Sequence, residues 1–446
     1  MKTILVIGAG RSSSSMIKYL LDHSSASQWK IRVGDMDVEL AKKKVNGHPN
    51  GEAFAFNALN PDERKNEIAK ADFVISMLPA IYHIEVAKDC IDLKKNVVTP
   101  SYVTPAMREL DAAAKKAGII ILNEIGVDPG IDHLSGMKII DEIHHRGGKV
   151  LAFESYCGGL IAPESDNNPW GYKFTWNPRN VVLAGQGGAA RFIRNGALKY
   201  IPYHQLFNRT ESISIEGKGD FEGYANRDSL SYRAVYGLEN IPTMLRGTLR
   251  KKGFCAAWNV FVQLGCTDDS YIMEGSSQMT WRSFLNAFLD FHPSRSVEEK
   301  LCAYLTIQTT DESFGMLKWL GLFEDTPIGI SKDASPAQIL QKLLEEKWVL
   351  EPQDKDMIVM FHRFHFEIGG KKKELQSSMM YIGQDDTYTA MSDTVGLPVA
   401  ICTKMILEGK IQDKGVMLPI SKSIYEPVLR ELEQFGIRFD EKEMDL

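Results

Sequence analysis

Residues 3–7 form a short apolar run that stops at Gly8. Residues 14–22 follow with helical spacing of their apolar positions. Residues 30–34 are rich in β-branched side chains and lead to Asp35, and Asp37 is placed to cap a helix through Glu39, Leu40, Ala41 and Val45. A further strand over 72–78 ends at Pro79. Strands at 96–99 and 118–122 each come after a helical stretch. Strands alternating with helices predict βαβ units and a parallel sheet, closing near Asp128-Pro129-Gly130.

From about residue 150 the alternation stops. Glycine and asparagine become frequent, as in Cys157-Gly158-Gly159 and Asp166-Asn167-Asn168, and strand-like pieces such as 212–215 appear. Residues 275–350 read mostly as helix, for example 338–344. Residues 357–374 return to strand, with Lys371-Lys372-Lys373 read as a solvated hairpin tip. The tail from Val395 reads as helix, loop, helix. No internal repeat is visible.

The chain has 446 residues, enough for two or three domains. Its net charge of −6 argues against a general nucleic-acid binder, which needs a basic face. Six scattered cysteines, none in a Cys-x-x-Cys pair, give no metal site and fit a reducing cytosol. The first apolar run is too short for a signal segment, and no uncharged run of about 18 residues occurs. The expectation is a cytoplasmic protein away from membranes.

Gly8-Ala9-Gly10 follows a strand and precedes a helix. The first glycine permits a tight turn, and the second lets backbone approach a pyrophosphate seated on the helix N-terminus. The third small residue of such a fingerprint is Ser13, a serine in place of glycine. Asp35, 22 residues on, would accept hydrogen bonds from ribose hydroxyls, which leans toward NAD over NADP. Arg11 would soften that lean if it reached the ribose. Asp35 could instead share helix capping with Asp37. Candidate cofactor contacts are Gly8, Ala9, Gly10, Arg11, Ser12, Ser13, Asp35 and Met36, joined by Asn57 and Leu78 at the ends of the third and fourth strands.

Asn123-Glu124-Ile125-Gly126-Val127-Asp128-Pro129-Gly130-Ile131-Asp132-His133 resembles the signature of the saccharopine dehydrogenases of the glutamate-forming type. So do residues 155–164, 168–176 and 98–103, Asn226-Arg227-Asp228-Ser229, residues 246–250 and Val395-Gly396-Leu397-Pro398, in the same order along the chain. The resemblance implies oxidation of the secondary amine saccharopine with NAD(P)+, water then releasing L-glutamate and 2-aminoadipate 6-semialdehyde. It also implies a homodimer. The α/β fold it implies has a Rossmann domain (1–128) completed by the C-terminal segment (392–446), an α/β substrate and dimerisation domain (129–274 and 351–391) and a helical insertion (275–350).

Saccharopine carries three carboxylates, which the planar fork of arginine can hold bidentately. The resemblance puts Arg227, Thr248, Leu249 and Arg250 on the substrate. Arg227 and Arg246 could instead be solvated surface residues. It puts Thr99, Pro100, Val127, Asp128, Pro129 and Trp176 by the cofactor, Ser101, Tyr102 and Asp128 on the substrate, and Cys157 and Gly159 near the reacting centre. Asp128 could equally be a turn acid, Cys157 a small buried hydrophobe, and Trp176 ordinary core. Tyr102, Asp128 and Lys173 are candidate proton carriers, the first two preferred. Two other readings are an amine dehydrogenase acting on a polyamine such as carboxynorspermidine, and a non-catalytic dinucleotide sensor. The arginine blocks weigh against the first; the Asp128, Cys157 and Arg227 blocks weigh against the second.

Overall fold

The computed structural model describes residues 1–186 and 188–446. The strands are β1 Lys2–Ile7, β2 Trp29–Asp35, β3 Gly51–Ala55, β4 Phe73–Ser76, β5 Asn96–Val98, β6 Ile120–Leu122 and β7 Lys149–Ile161. They continue with β8 Ala190–Arg194, β9 Ala197–Ile201, β10 Thr210–Ile215, β11 Gly219–Ala225, β12 Thr243–Lys251, β13 Asp356–Ile368, β14 Lys371–Ile382, β15 Gly415–Met417 and β16 Asp440–Asp445. The chain divides into two compact units, 1–150 with 366–446, and 151–365.

In the first unit a seven-stranded parallel sheet runs in the order β15-β6-β5-β4-β1-β2-β3. This is the dinucleotide-binding strand order, with a seventh strand added from the tail. Ile4 to Ile7 of β1 are buried, as a continuous apolar run covered on both faces should be. The helix Ala390–Leu407 packs on the helix Ser14–Ser27. A Cβ on Gly396 would lie 2.9 Å from the Met16 amide nitrogen, so glycine sets the approach of the two helices. By length and composition Ala390–Leu407 could cross a membrane, but 83% of it is buried inside the protein, as a core helix is.

The tail differs from the expected helix, loop, helix. β15 joins β6 in the parallel sheet, and β16 pairs antiparallel with β14. The expected hairpin tip is displaced by two residues. Gly369 and Gly370, both at positive φ, make the turn, and Lys371 to Lys373 open β14. Lys373 there pairs with Glu443 at 2.8 Å.

In the second unit β10-β11-β12-β7-β13 are consecutive neighbours of a mixed sheet, with β12 parallel to β7 and antiparallel to β11. Trp170, Tyr172, Phe254, Trp258, Phe261 and Trp348 form a buried aromatic core. Between 275 and 350 lie helices including Trp281–Asn286, Val297–Leu305 and Pro336–Lys347. Each of these three is opened by a reciprocal cap at Thr280, Ser296 or Ser335.

Candidate active site

At the sheet's switch of direction, β1 lies beside both β2 and β4. Gly8 takes φ +101°, and a Cβ there would sit 3.1 Å from the Met77 carbonyl oxygen. Only glycine turns the chain in that space. Gly10 is exposed and has nothing within 4 Å of a built Cβ, leaving open backbone. No side chain caps the helical turn that starts at Gly10, although Asp37, Asn60 and Thr104 cap the helices they open. An uncapped N-terminus behind an open glycine suits a pyrophosphate, so these residues fit a dinucleotide.

Ser13 is buried, and its hydroxyl donates to the Gly10 carbonyl at 2.8 Å. Asp35 Oδ2 accepts from the Ala9 N–H at 2.6 Å and Oδ1 from the Asp37 N–H at 2.9 Å. One carboxylate therefore ties the glycine turn to the exit of β2, while Asp37 caps the next helix as expected. Lys44 reaches Ser14 Oγ at 2.5 Å, and burial pushes its ammonium down to about 8. Arg11 and Met36 are exposed and Ser12 is half-buried. Asn57 is exposed and accepts from the Leu59 N–H, so it shapes the turn after β3. Leu78 packs on the apolar core below β1.

Two loops further along the sheet meet. Tyr102 Oη donates to Asp128 Oδ1 at 3.0 Å. A Cβ on Gly126 would lie 3.0 Å from Pro100, so the loop 99–104 and the turn 126–130, which carries Val127, Asp128 and Pro129, are in close contact. Ser101 Oγ hydrogen-bonds His83 Nε2 at 2.8 Å, Thr99 Oγ1 lies 3.1 Å from the same nitrogen, and His83 Nδ1 meets Ser76 Oγ at 2.8 Å. Burial pushes the His83 imidazole down to about 4, so it is neutral at physiological pH. Sequence reasoning missed His83 because it lies on another helix and no motif contains it.

In the second unit Cys157 on β7 stands opposite Thr248 on β12. A Cβ on Gly158 would lie 2.7 Å from the Leu249 carbonyl oxygen, and half-buried Gly159 follows. Arg246, Thr248 and Arg250 alternate along β12 and share one face. Arg250 is buried, with its guanidinium carbon 5.3 Å from the ring centres of Tyr172 and Phe254 and 6.0 Å from that of Tyr224. Its side chain donates to the Leu249 carbonyl at 3.0 Å, its Nε has no partner, and no carboxylate among the described residues pairs with it. A buried cation without a counter-ion costs several kcal/mol, which an anionic ligand offsets.

Arg227 is exposed. Its neighbour Asp228 is taken by Arg191 at 2.5 Å. Arg246 is buried over the Tyr232 ring at 4.2 Å. Trp176 Nε1 donates to Tyr172 Oη at 3.3 Å, on the ring that lies beside the Arg250 guanidinium. Lys173 is held by Asp354 at 2.5 Å, both side chains 4% exposed. That buried ion pair fixes the position of Lys173.

A glycine turn between β1 and a helix on a parallel sheet, with an acid at the exit of β2, marks the first unit as a dinucleotide-binding domain. The saccharopine dehydrogenase NADP binding domain matches residues 4–122, and the saccharopine dehydrogenase C-terminal domain matches 126–437. The chain belongs to the saccharopine dehydrogenase family. It is 36% identical over 99% of both chains to saccharopine dehydrogenase [NADP(+), L-glutamate-forming] of Pyricularia oryzae. It is 35% identical over the full length of both chains to the Schizosaccharomyces pombe protein of the same name. The solved structure of apo histidine-tagged saccharopine dehydrogenase (L-Glu forming) from Saccharomyces cerevisiae superposes with a TM-score of 0.88, at 34% identity and covering all of both chains.

Proposed function

We infer that this chain catalyses L-saccharopine + NAD(P)+ + H2O → L-glutamate + 2-aminoadipate 6-semialdehyde + NAD(P)H + H+. The observation that carries the substrate class is Arg250, a buried guanidinium with an unpartnered Nε and no carboxylate paired with it among the described residues. A polyamine such as carboxynorspermidine carries fewer carboxylates and more cations, so its pocket should hold more acids and lack the paired arginines. The full-length relatives carry the reaction.

The dinucleotide, when bound, would accept a hydride from the methylene carbon on the aminoadipate side of the secondary amine. The chain's own groups do the rest. Arg250 and Arg227 hold carboxylates, Ser101 orients the substrate, and Cys157, Gly159, Thr248 and Leu249 line its path. Asp128 and Tyr102 take the amine proton and serve the water that adds to the C=N bond, after which the bond to the glutamate nitrogen breaks. Gly8, Ala9, Gly10, Arg11, Ser12, Ser13, Asp35, Met36, Asn57, Leu78, Thr99, Pro100, Val127, Pro129 and Trp176 serve the cofactor.

Asp35 leans the reading toward NAD, while the NADP(+) named for the relatives keeps NADP beside it. The half-buried Asp35 carboxylate meets a ribose hydroxyl favourably and a 2′-phosphate unfavourably, and the residue after it, Met36, offers no positive charge. Residues 1–128 with 392–446 are assigned to the cofactor, 129–274 with 351–391 to substrate and dimerisation, and 275–350 to a helical insertion. A homodimer in the cytoplasm completes the proposal. The test is initial-rate reduction of dinucleotide with saccharopine and, separately, with carboxynorspermidine. Turnover of saccharopine alone supports this function, and turnover of the polyamine alone replaces it.

A further inference from the structure

Tyr102 and Asp128 lie on different loops, so something must fix their separation. Glu124 meets both. It is fully buried and takes φ +57°, a left-handed conformation that is unfavourable for a non-glycine residue. Its N–H donates to the Ser101 carbonyl at 3.1 Å, and its Oε1 accepts from the Val103 N–H at 2.8 Å. One residue thus holds the backbone on both sides of Tyr102. The other carboxylate oxygen, Oε2, is 2.8 Å from His133 Nε2.

His133 is the third residue of the helix Ile131–His145, which starts directly after Asp128-Pro129-Gly130. The start of that helix is itself fixed. Asp132 Oδ1 accepts from the Gly130 N–H at 2.6 Å, and the Asp132 N–H donates to the Val127 carbonyl at 3.1 Å. The two oxygens of Glu124 therefore divide their work, one on the loop of Tyr102 and one on the helix behind Asp128. His133 and Glu124 are both 0% exposed, so water does not compete for these bonds.

We propose that the Glu124–His133 pair is a positioning element that sets the geometry of the Tyr102–Asp128 hydrogen bond. This rests on the assignment of Tyr102 and Asp128 as the proton-handling pair. Glutamine at 124 keeps the size and one acceptor for Val103 but replaces the second carboxylate oxygen by an amide nitrogen facing His133. The residue and its partners stay packed while the link to His133 changes. A misplacement of about 1 Å in a reacting group costs on the order of 10²-fold in rate.

The experiment compares wild type, Glu124→Gln, Tyr102→Phe and the double variant, with thermal denaturation alongside. The expected result is a kcat for Glu124→Gln lower by about 10–100-fold, with KM for saccharopine and dinucleotide within twofold. In the Tyr102→Phe background the same change should alter kcat less than twofold, because the residue it positions is already disabled. Equal effects in both backgrounds, or an unchanged kcat in folded protein, would overturn the proposal.

A second readout does not depend on turnover. With 13Cζ-labelled tyrosine, the Tyr102 resonance, identified by its loss in Tyr102→Phe, should shift in Glu124→Gln. A shift in a protein that fails to oxidise saccharopine leaves the positioning role standing and removes the substrate assignment. An unmoved resonance in an active enzyme removes the positioning role and leaves the substrate assignment.

Discussion

Tyr102 Oη donates to Asp128 Oδ1 across 3.0 Å, joining the loop after β5 to the turn after β6. Groups that handle one proton together lose their effect together. Tyr102→Phe and Asp128→Asn are each expected to lower kcat by about 10²–10⁴-fold. The double variant should be no slower than the worse single variant by more than a few-fold. Steady-state rates of the four proteins check this.

Arg250 carries a charge that no carboxylate among the described residues balances. Arg250→Met should raise KM for saccharopine by about 10–100-fold, from loss of charged hydrogen bonds worth about 1.5–3 kcal/mol. The melting temperature should stay level or rise, because a buried uncompensated cation has been replaced by an apolar side chain. A fall in melting temperature with unchanged KM would make Arg250 a structural residue. Lysine should not restore KM, since it lacks the planar fork.

Asp35 bears on the dinucleotide rather than the amine. Asp35→Ser removes the negative charge and keeps an acceptor for the Ala9 N–H, which Asp35 now accepts at 2.6 Å. The ratio of kcat/KM for NAD+ over NADP+ should fall by about tenfold or more, equivalent to roughly 1.4 kcal/mol. An unchanged ratio would place cofactor choice elsewhere.

His83 gives a pH dependence to stability. Its folded imidazole is pushed by burial down to about 4, against an ordinary 6.5. Below 6.5 the unfolded chain takes up a proton that the folded chain refuses. The His83 contribution is thus complete above pH 6.5 and is lost as pH falls toward 4. At about 1.4 kcal/mol per tenfold change in proton affinity, the loss is about 3 kcal/mol. His83→Gln should lose correspondingly less stability between pH 7 and 4 in urea unfolding. Parallel curves for the two proteins would contradict this.

The βα alternation of the first 122 residues was legible because buried parallel strands are short apolar runs bounded by glycine, proline and caps. The tail was less legible. β15 has three residues, too few to show a period, and its place is given by β6. β16 reads Asp-Glu-Lys-Glu-Met-Asp, with no apolar alternation, and takes its register beside β14 through pairs such as Lys373 with Glu443 and Asp445. The site divides in the same way. Gly8 and Asp35 declare themselves by spacing. Glu124 and His133 stand inside a quoted motif, but their role depends on where Ser101 and Val103 arrive in space. Lys173 illustrates the converse, since only the structure brings it to Asp354.

The most direct test of the central claim is to identify what the enzyme releases. Saccharopine has two carbons beside its nitrogen, and oxidation at each gives different products. Incubation with L-saccharopine and NAD+, with NADP+ in parallel, followed by mass spectrometry, should show L-glutamate and 2-aminoadipate 6-semialdehyde in step with the reduced dinucleotide. Lysine and 2-oxoglutarate, or no saccharopine-dependent reduction by folded protein, would contradict it.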